Sequence, residues 1–586
     1  MDIKLSEVIK NQAIFNIGCT GHVANGKSTI VHKMTGIKTQ KFSSEQERNI
    51  TINIGYANCK IFYSPKLNIY ESVSSSTESL NDSNGDKMLL VNHISFVDCP
   101  GHEAFMNNMM NGSSVMDKAI LVEASNANCF PQSQTREHLI ALQNTSINDL
   151  LVIQNKCDLV KKERLIHIKF KIEEFLEDFY EKIPPIIPII AQNGENIDLV
   201  SNYLAKSINS YNKDINKNLL VNIIRTFDIN KPNTKISKLK GGVLGGSIKE
   251  GVLKIGDYIQ ILPGRITKIN NNWIIKPLYS TVTSLCSDKN KMEFAIPGGL
   301  IGIGTTLDPS LCKSDNLIGQ IITLPGDNIP ISTNISVKYK TIKREGERIK
   351  FKLEQKIKIG LGSNIMKGII KNKNSKEKII DIELENPLCI SNINVTIIIK
   401  NNDKNYKIGG IGKIINYSVI DEVLYRKDIE NKKINYNIIN DLTGNYTFNY
   451  NYEDMLNKLD YTKITKKKYD IPVPIISNSR AKETLYFQNF NRIVEKAANI
   501  KDTVEFREIF IKYLEKLVGT KTILTKDNFL KLETNYDKSV LKNNIIKLLK
   551  NIKKCKTCGS VDTFLSKYKR SINVNCISCN SVINLS

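Results

Sequence analysis

The sequence predicts a multidomain chain: an α/β domain, two all-β domains, a small mixed α/β domain and a cysteine-rich ribbon. Three observations carry this. Apolar strands alternate with helical segments over the first two hundred residues, the pattern of a mostly parallel sheet covered on both faces. From Leu219 to Leu424 the pattern changes to short alternating runs separated by glycine turns. Two C-x-x-C pairs then close the chain. The length, 586 residues, suggests about four domains at ~150 residues each.

In chain order, AIFNIGCT reads as a strand, STIVHKMTG opens a helix, and HISFVDC, KAILVEAS and DLLVIQNK are further strands. A helix over 163–181 places Leu165, Ile168, Ile172, Phe175 and Phe179 on one face, and IPPIIPII is the last strand of a domain spanning 1–210. Ser72 to Lys87, rich in Ser, Asn and Asp, reads as a mobile loop. The segments LKGGVLGGSIKEGVLKIGDYIQILPG, AIPGGLIGIGTTLDP and KIGGIGKIINYSVID fit small barrels or sandwiches. LPGDNIP divides them into units at 215–328 and 330–426. Residues 427–475 read as a polar linker carrying a short amphipathic helix at 450–461. A mixed α/β segment at 476–549 and the cysteine module at 550–586 follow.

With 83 Lys plus Arg against 59 Asp plus Glu the formal charge is +24, which favours a polyanionic partner, nucleic acid first. At 41% hydrophobic and 24% charged the composition excludes global disorder. Apolar runs such as PPIIPIIA are far short of the ~20 residues of a membrane span, and no secretory signal is visible, so an intracellular, cytoplasmic protein without a membrane partner is expected. The 12 cysteines, eight scattered and four clustered, form no disulfide framework.

Gly21-His-Val-Ala24-Asn25-Gly26-Lys27-Ser28, followed by Thr29, fits the phosphate-loop pattern between a strand and a helix. Its backbone N–H groups would wrap phosphates, Lys27 would reach the β- and γ-phosphates, and the Ser28 hydroxyl would bind Mg²⁺. Asp98-Cys-Pro-Gly101 follows a strand, placing Asp98 on the Mg²⁺ hydration shell and the Gly101 amide toward the γ-phosphate. Asn155-Lys156-Cys157-Asp158 follows another, and its carboxylate matches the N1–H and N2–H donors of guanine. Together the three motifs mark a GTP/GDP-binding domain. A fifth segment, Ile190-Ala191-Gln192, leaves the Ala191 amide for the guanine oxygen, although isoleucine stands where serine is usual.

Glu47-Arg48-Asn49-Ile50-Thr51-Ile52, with His102 directly after DCPG, resembles the translational GTPases. That resemblance implies Thr51 on Mg²⁺ and His102 orienting the attacking water. FSSEQERNITINIGYANCKIF, NHISFVDCPGHEAFMNNMMNG, KGGVLGGSIKEG, IPGGLIGIGTTLDPSLC and IGGIGKI narrow it, over about Ile14 to Arg426, to the gamma subunit of eukaryotic and archaeal translation initiation factor 2. The resemblance implies a GTPase domain followed by two β-barrels and GTP-dependent binding of initiator methionyl-tRNA beside Tyr56. It further implies delivery to the small ribosomal subunit and low intrinsic hydrolysis awaiting an activator. An alpha subunit and a nucleotide exchange factor are implied partners. Residues Ile61 to Met88 carry no cysteine, so no metal is expected in that insert.

Cys555-x2-Cys558-x17-Cys576-x2-Cys579 is a tetrahedral Zn²⁺ pattern. Residues 551–586 hold six basic side chains against Asp562 alone, so the zinc-loaded module keeps roughly +3, a charge suited to RNA. YNYEDMLNKL, KETLYFQNF and the run from Lys550 to Val582 resemble the beta subunit of the same factor. The expected protein is thus a gamma–beta fusion. The alternatives are a GTP- and RNA-binding scaffold without hydrolysis of its own, or an elongation-type aminoacyl-tRNA carrier.

Overall fold

Seven strands build the first sheet, and the strand at its centre is buried on both faces: one carries Phe15, Ile17 and Cys19, the other Asn16, Gly18 and Thr20, with the Asn16 side-chain amide and Thr20 hydroxyl hydrogen-bonded. The computed structural model describes residues 2–39, 54–101, 106–127, 130–145, 147, 149–231, 233–270, 272–344, 347–400, 406–426, 435–442, 446 and 448–459, and beyond these 476–478, 484–487, 490, 494, 503–519, 522–524, 530–533, 537–553, 563–568, 571–576 and 582–584. The first domain runs β1 (Asp2–Lys4), α1 (Leu5–Asn11), β2 (Phe15–Thr20), α2 (Lys27–Thr35), β3 (Gly55–Ser64), β4 (Ile69–Ser74), β5 (Leu89–Asp98) and α3 (Met106–Ser113). It continues with β6 (Lys118–Ala124), α4 (Ser133–Asn144), β7 (Leu150–Asn155), α5 (Lys162–Glu177), β8 (Ile186–Pro188) and α6 (Ile197–Ala205). The sheet order is β4-β3-β5-β2-β6-β7-β8, parallel from β5 to β8, with β3 and β4 antiparallel at one edge. Each nucleotide motif therefore leaves the C-terminal end of a parallel strand, where such sheets bind ligands.

Helix α5 buries Leu165, Ile168, Ile172 and Phe175, as its spacing requires, and ends at Glu177, four residues before the expected end. The Ser72–Lys87 segment is better built than its composition suggests. Ser72–Ser74 belongs to β4, Asn81 bridges Lys87, and Asp82 accepts from the Ser64 hydroxyl at 2.6 Å. Its polar side chains are spent on the turn itself, and Ser75 reaches Asp288 of the next domain at 2.6 Å.

Both all-β units are closed six-strand antiparallel barrels, not sandwiches. In the first, the ring runs Tyr258–Ile269, Ile321–Thr323, Leu220–Phe227, Val243–Glu250, Ile301–Thr305 and Asn272–Ser287, the last pairing back to the first. In the second it runs Ile331–Thr341, Ile379–Cys389, Asn364–Asn374, Lys356–Leu361, Asn394–Lys400 and Tyr406–Ser418. Closure removes the exposed edges that lysine- and asparagine-rich strands would otherwise leave. The first barrel is bolted to the first domain by buried polar groups: Asn16 Nδ2 donates to Ser247 Oγ and the Gly299 carbonyl, and Gln12 Nε2 donates to the carbonyls of Ile296 and Gly298. The second barrel leans on α4, where Glu137 Oε2 accepts from the Ile408 amide and Asn144 donates to Thr396 Oγ1.

The described part of the expected linker is a strap. Asn437–Ile439 forms a strand parallel to β1, and Asp441 accepts from the Ser6 amide and hydroxyl. Tyr446 packs on Tyr63, and Phe448 packs edge-on against Tyr203 at 5.3 Å. A short helix, Tyr452–Asn457, then seats on the first domain, capped by Asn451, whose side chain accepts from the amides of Glu453 and Asp454. The polar composition misleads because isoleucines and aromatics spaced along the segment do the anchoring. Further on, a four-stranded antiparallel sheet carries helices Thr503–Val518 and Lys538–Lys553, with its own core around Phe487, Phe490 and Phe510. A three-stranded sheet over 563–584 follows. Among the described residues no helix is long and apolar enough to cross a membrane.

Candidate nucleotide site

Between β2 and α2 the chain turns through Gly21 (φ 130°), Ala24 (φ 64°) and Gly26 (φ 97°), left-handed values that aim successive amides inward. Side chains would not fit at the two glycines. A Cβ on Gly21 would lie 2.3 Å from the Val122 carbonyl, and one on Gly26 2.3 Å from Asn155 Nδ2. Lys27 is buried, its ammonium donating to the carbonyls of Gly21 and His22 at 3.0 and 2.9 Å. Burial lowers its pKa, and Asp98 opposes that. The DCPG turn closes the pocket: a Cβ on Gly101 would sit 2.7 Å from Lys27 Nζ and 2.9 Å from the Val23 amide nitrogen.

Asp98 ends β5 fully buried and accepts from Thr39 Oγ1 at 2.6 Å. Ser28, in the first turn of α2, is half-buried, and Thr29 beside it is exposed. A hydroxyl and a buried carboxylate beside Lys27 form the hard-oxygen donor set that Mg²⁺ takes, so these residues fit that ion. Thr51 and His102 lie outside the described residues.

The guanine-side residues converge on Asn155. Its Nδ2 donates to the Asn25 carbonyl at 2.8 Å, and its Oδ1 accepts from the Ala191 amide at 3.1 Å. The asparagine thereby ties the phosphate loop to both base-side loops. The Ala191 N–H donates to Asn155 Oδ1. The Asn25 side chain turns away from the pocket, donating to the Val122 carbonyl, Gln132 and Glu123. Lys156 takes φ 61°, swinging the chain into the short turn Cys157–Leu159 that presents half-buried Asp158. Gln192 is exposed on the turn between β8 and α6.

Sequence reasoning missed the layer behind the loop. His138 of α4 is buried, and its Nδ1 accepts from the Gly21 amide at 3.0 Å; burial pushes its pKa down to about 3, so the ring stays neutral and can accept. Glu123 of β6, also buried, accepts from Thr135 Oγ1 at 2.8 Å, and burial raises its pKa to about 7. The one available signal was a glutamate inside the otherwise apolar run KAILVEA. Tyr56 lies at the seam with the first barrel near Arg225, its hydroxyl buried and its pKa raised by that burial.

The side chains of Cys555, Cys558, Cys576 and Cys579 lie outside the described residues; the backbone of Cys576 ends the middle strand of the last sheet.

Residues 12–227 match the elongation factor Tu GTP binding domain, and residues 459–582 match a domain found in initiation factors 2B and 5. A 439-residue stretch is 38% identical to eukaryotic translation initiation factor 2 subunit 3 of Drosophila melanogaster, covering 71% of this chain and 92% of that protein. The chain belongs to the translation initiation factor 2 gamma (subunit 3) family. It is a GTPase, and it carries a beta-like domain on the same polypeptide. Two solved structures share the fold. A bacterial selenocysteine-specific elongation factor superposes with a TM-score of 0.53 at 22% identity, over 69% of this chain and 59% of that one. The factor SelB of Methanococcus maripaludis, solved with a GTP analogue, gives 0.52 at 20% identity, over 70% of this chain and 82% of that one. In this member of the subunit 3 family the described nucleotide motifs share one rim, and the first barrel is bolted to the domain that carries them.

Proposed function

We propose that this member of the gamma family binds GTP and initiator methionyl-tRNA and delivers the tRNA to the small ribosomal subunit in the cytoplasm. Hydrolysis is slow until an activator acts, and an exchange factor resets the site. The observation that carries the reading is the convergence of Lys27, Asp98, Gly101 and Asn155 on one pocket in a chain of this family. Backbone amides of residues 21–29 and the Lys27 ammonium would hold the phosphates, and Ser28 and Asp98 would hold Mg²⁺, joined by Thr51. When bound, that ion supplies charge neutralisation on the β- and γ-phosphates. Asp158 reads the guanine edge, with Lys156 and Gln192 flanking it, and Asn155 keeps the loops in register. His102 orients the water that attacks the γ-phosphate, and Tyr56 borders the pocket for the aminoacylated end of the tRNA.

The C-terminal part acts as the beta module. Its four cysteines would hold Zn²⁺, a soft-thiolate set suited to that metal. An alpha subunit completes the assembly. Nucleotide titration with GTP, ATP and xanthosine triphosphate tests the base assignment, and single-turnover hydrolysis with and without small subunits and activator tests the switch. Filter binding of initiator against elongator methionyl-tRNA separates initiation from elongation. Preference for the elongator, or no stimulated hydrolysis, would remove the reading.

A further inference from the structure

We propose that the docked segment Asn451–Leu459 braces the two base-side loops from behind, so that guanine selectivity and nucleotide release depend on the C-terminal half of the same chain. This rests on the guanine-nucleotide reading of Asn155–Asp158.

Two hydrogen bonds make the brace. Tyr452 is buried, and its hydroxyl donates to Gln154 Oε1 at 2.5 Å. Gln154 is itself fully buried; its Nε2 donates to the Leu165 carbonyl, and its own carbonyl accepts from the Ile189 amide and the Cys157 thiol. The next residue is Asn155. The second bond reaches the other wall. Asn196 (φ 61°) ends the turn that carries Ala191, just before α6, and its Nδ2 donates both to Pro188 O, at 2.9 Å, and to Met455 O, at 2.7 Å. Each base-side loop is thus held on the face away from the nucleotide by a residue of the docked helix. Met455, Leu456 and Leu459 are buried beneath it, and Lys162 donates to Asn457 Oδ1 at 2.8 Å.

The loops are short, one of them turns through a left-handed lysine, and the brace adds to the bonds that Asn155 makes between them. Base recognition is directional, and a shift of a few tenths of an ångström at Asp158 weakens two hydrogen bonds at once. Removing the tyrosine hydroxyl would leave the buried Gln154 Oε1 without this donor, favouring a rearranged β7 end. Linkage makes the effect reciprocal: guanine nucleotide tightens docking by the same factor that docking tightens nucleotide binding.

The full chain carrying Tyr452→Phe keeps the apolar seat and loses only the hydroxyl, while Leu456→Asp disrupts the seat. Release of a fluorescent GDP would be timed for both, and GDP would be competed against inosine diphosphate, which lacks the N2 amine. We expect several-fold faster release and a several-fold smaller GDP-over-inosine preference in Tyr452→Phe, and a larger effect of the same kind in Leu456→Asp. Unchanged release and preference, or affinities for GDP and inosine diphosphate that fall in equal proportion, would overturn the brace. An unaltered chain with no preference for guanine would instead overturn the site assignment beneath it.

Discussion

At the scale of single residues, the pocket works by committing side chains to one another before any ligand arrives. Asn155 holds the phosphate loop and the Ala191 turn, and Thr39 holds Asp98. In the proposed reading Asp158 is the residue that distinguishes bases. Asp158→Asn should weaken GTP binding by roughly a hundredfold or more and favour xanthosine triphosphate, because a buried mispaired donor is costly; competition titration decides it, and unchanged GTP affinity would refute the role. Glu123 gives a pH prediction. Its pKa rises by burial from an ordinary 4.5 to about 7, so between those values the folded protein retains a proton that the unfolded chain releases. Its contribution to stability therefore falls as pH rises through that window and levels off above 7. Glu123→Gln should flatten this slope in urea midpoints measured from pH 5 to 8.

At the scale of elements, the joints matter more than the strands. Helix α4 presents His138 to the phosphate loop, Thr135 to Glu123 behind that loop, and Glu137 and Asn144 to the second barrel, so one helix touches both the loop and the barrel. The junction of the first barrel with β2 depends on Gly298 and Gly299. Both have positive φ, and a Cβ would lie 2.0 Å from the carbonyls of Ile14 and Ala13 respectively. Backbone cannot yield there as a flexible side chain would. Gly299→Ala should therefore cost roughly 1–3 kcal/mol or more and loosen the barrel from the first domain. Calorimetry should show a lower and broader transition; a wild-type melting profile would mean that the joint tolerates the methyl.

At the scale of the whole molecule, the strap ties the chain that follows the second barrel back onto the first domain. Residues 437–442, 446 and 448–459 lie on the first domain through strand pairing, an aromatic seat and a docked helix. A protease site placed within 427–434 should consequently yield fragments that still co-elute at sub-micromolar concentration, a firmer association than a helix on a loose tether would give. Separation on a sizing column would show the strap to be weak. The cysteine module is expected to depend on its metal: Cys558→Ser should abolish zinc binding and unfold the last ~35 residues while nucleotide binding survives. Metal analysis of the unaltered chain checks the premise, since a zinc-free protein would end it.

Sequence by itself determined the parts whose physics is local. A glycine-rich turn between strand and helix, a carboxylate after an apolar strand and paired cysteines each need only neighbouring residues to be recognised, so the phosphate loop, the Asp98 turn and the Asn155–Asp158 segment were readable in place. Strand alternation likewise separated the α/β domain from the all-β units. What tertiary structure alone decided were contacts between residues far apart in the chain. Closure of the second barrel, for example, depends on the pairing of its first strand, Ile331–Thr341, with its last, Tyr406–Ser418. His138 on the Gly21 amide and the strand at 437–439 beside β1 join positions more than a hundred residues apart. The strap read as a linker because composition averages over a segment, whereas anchoring depends on a few isoleucines and aromatic rings meeting a surface that exists only after folding.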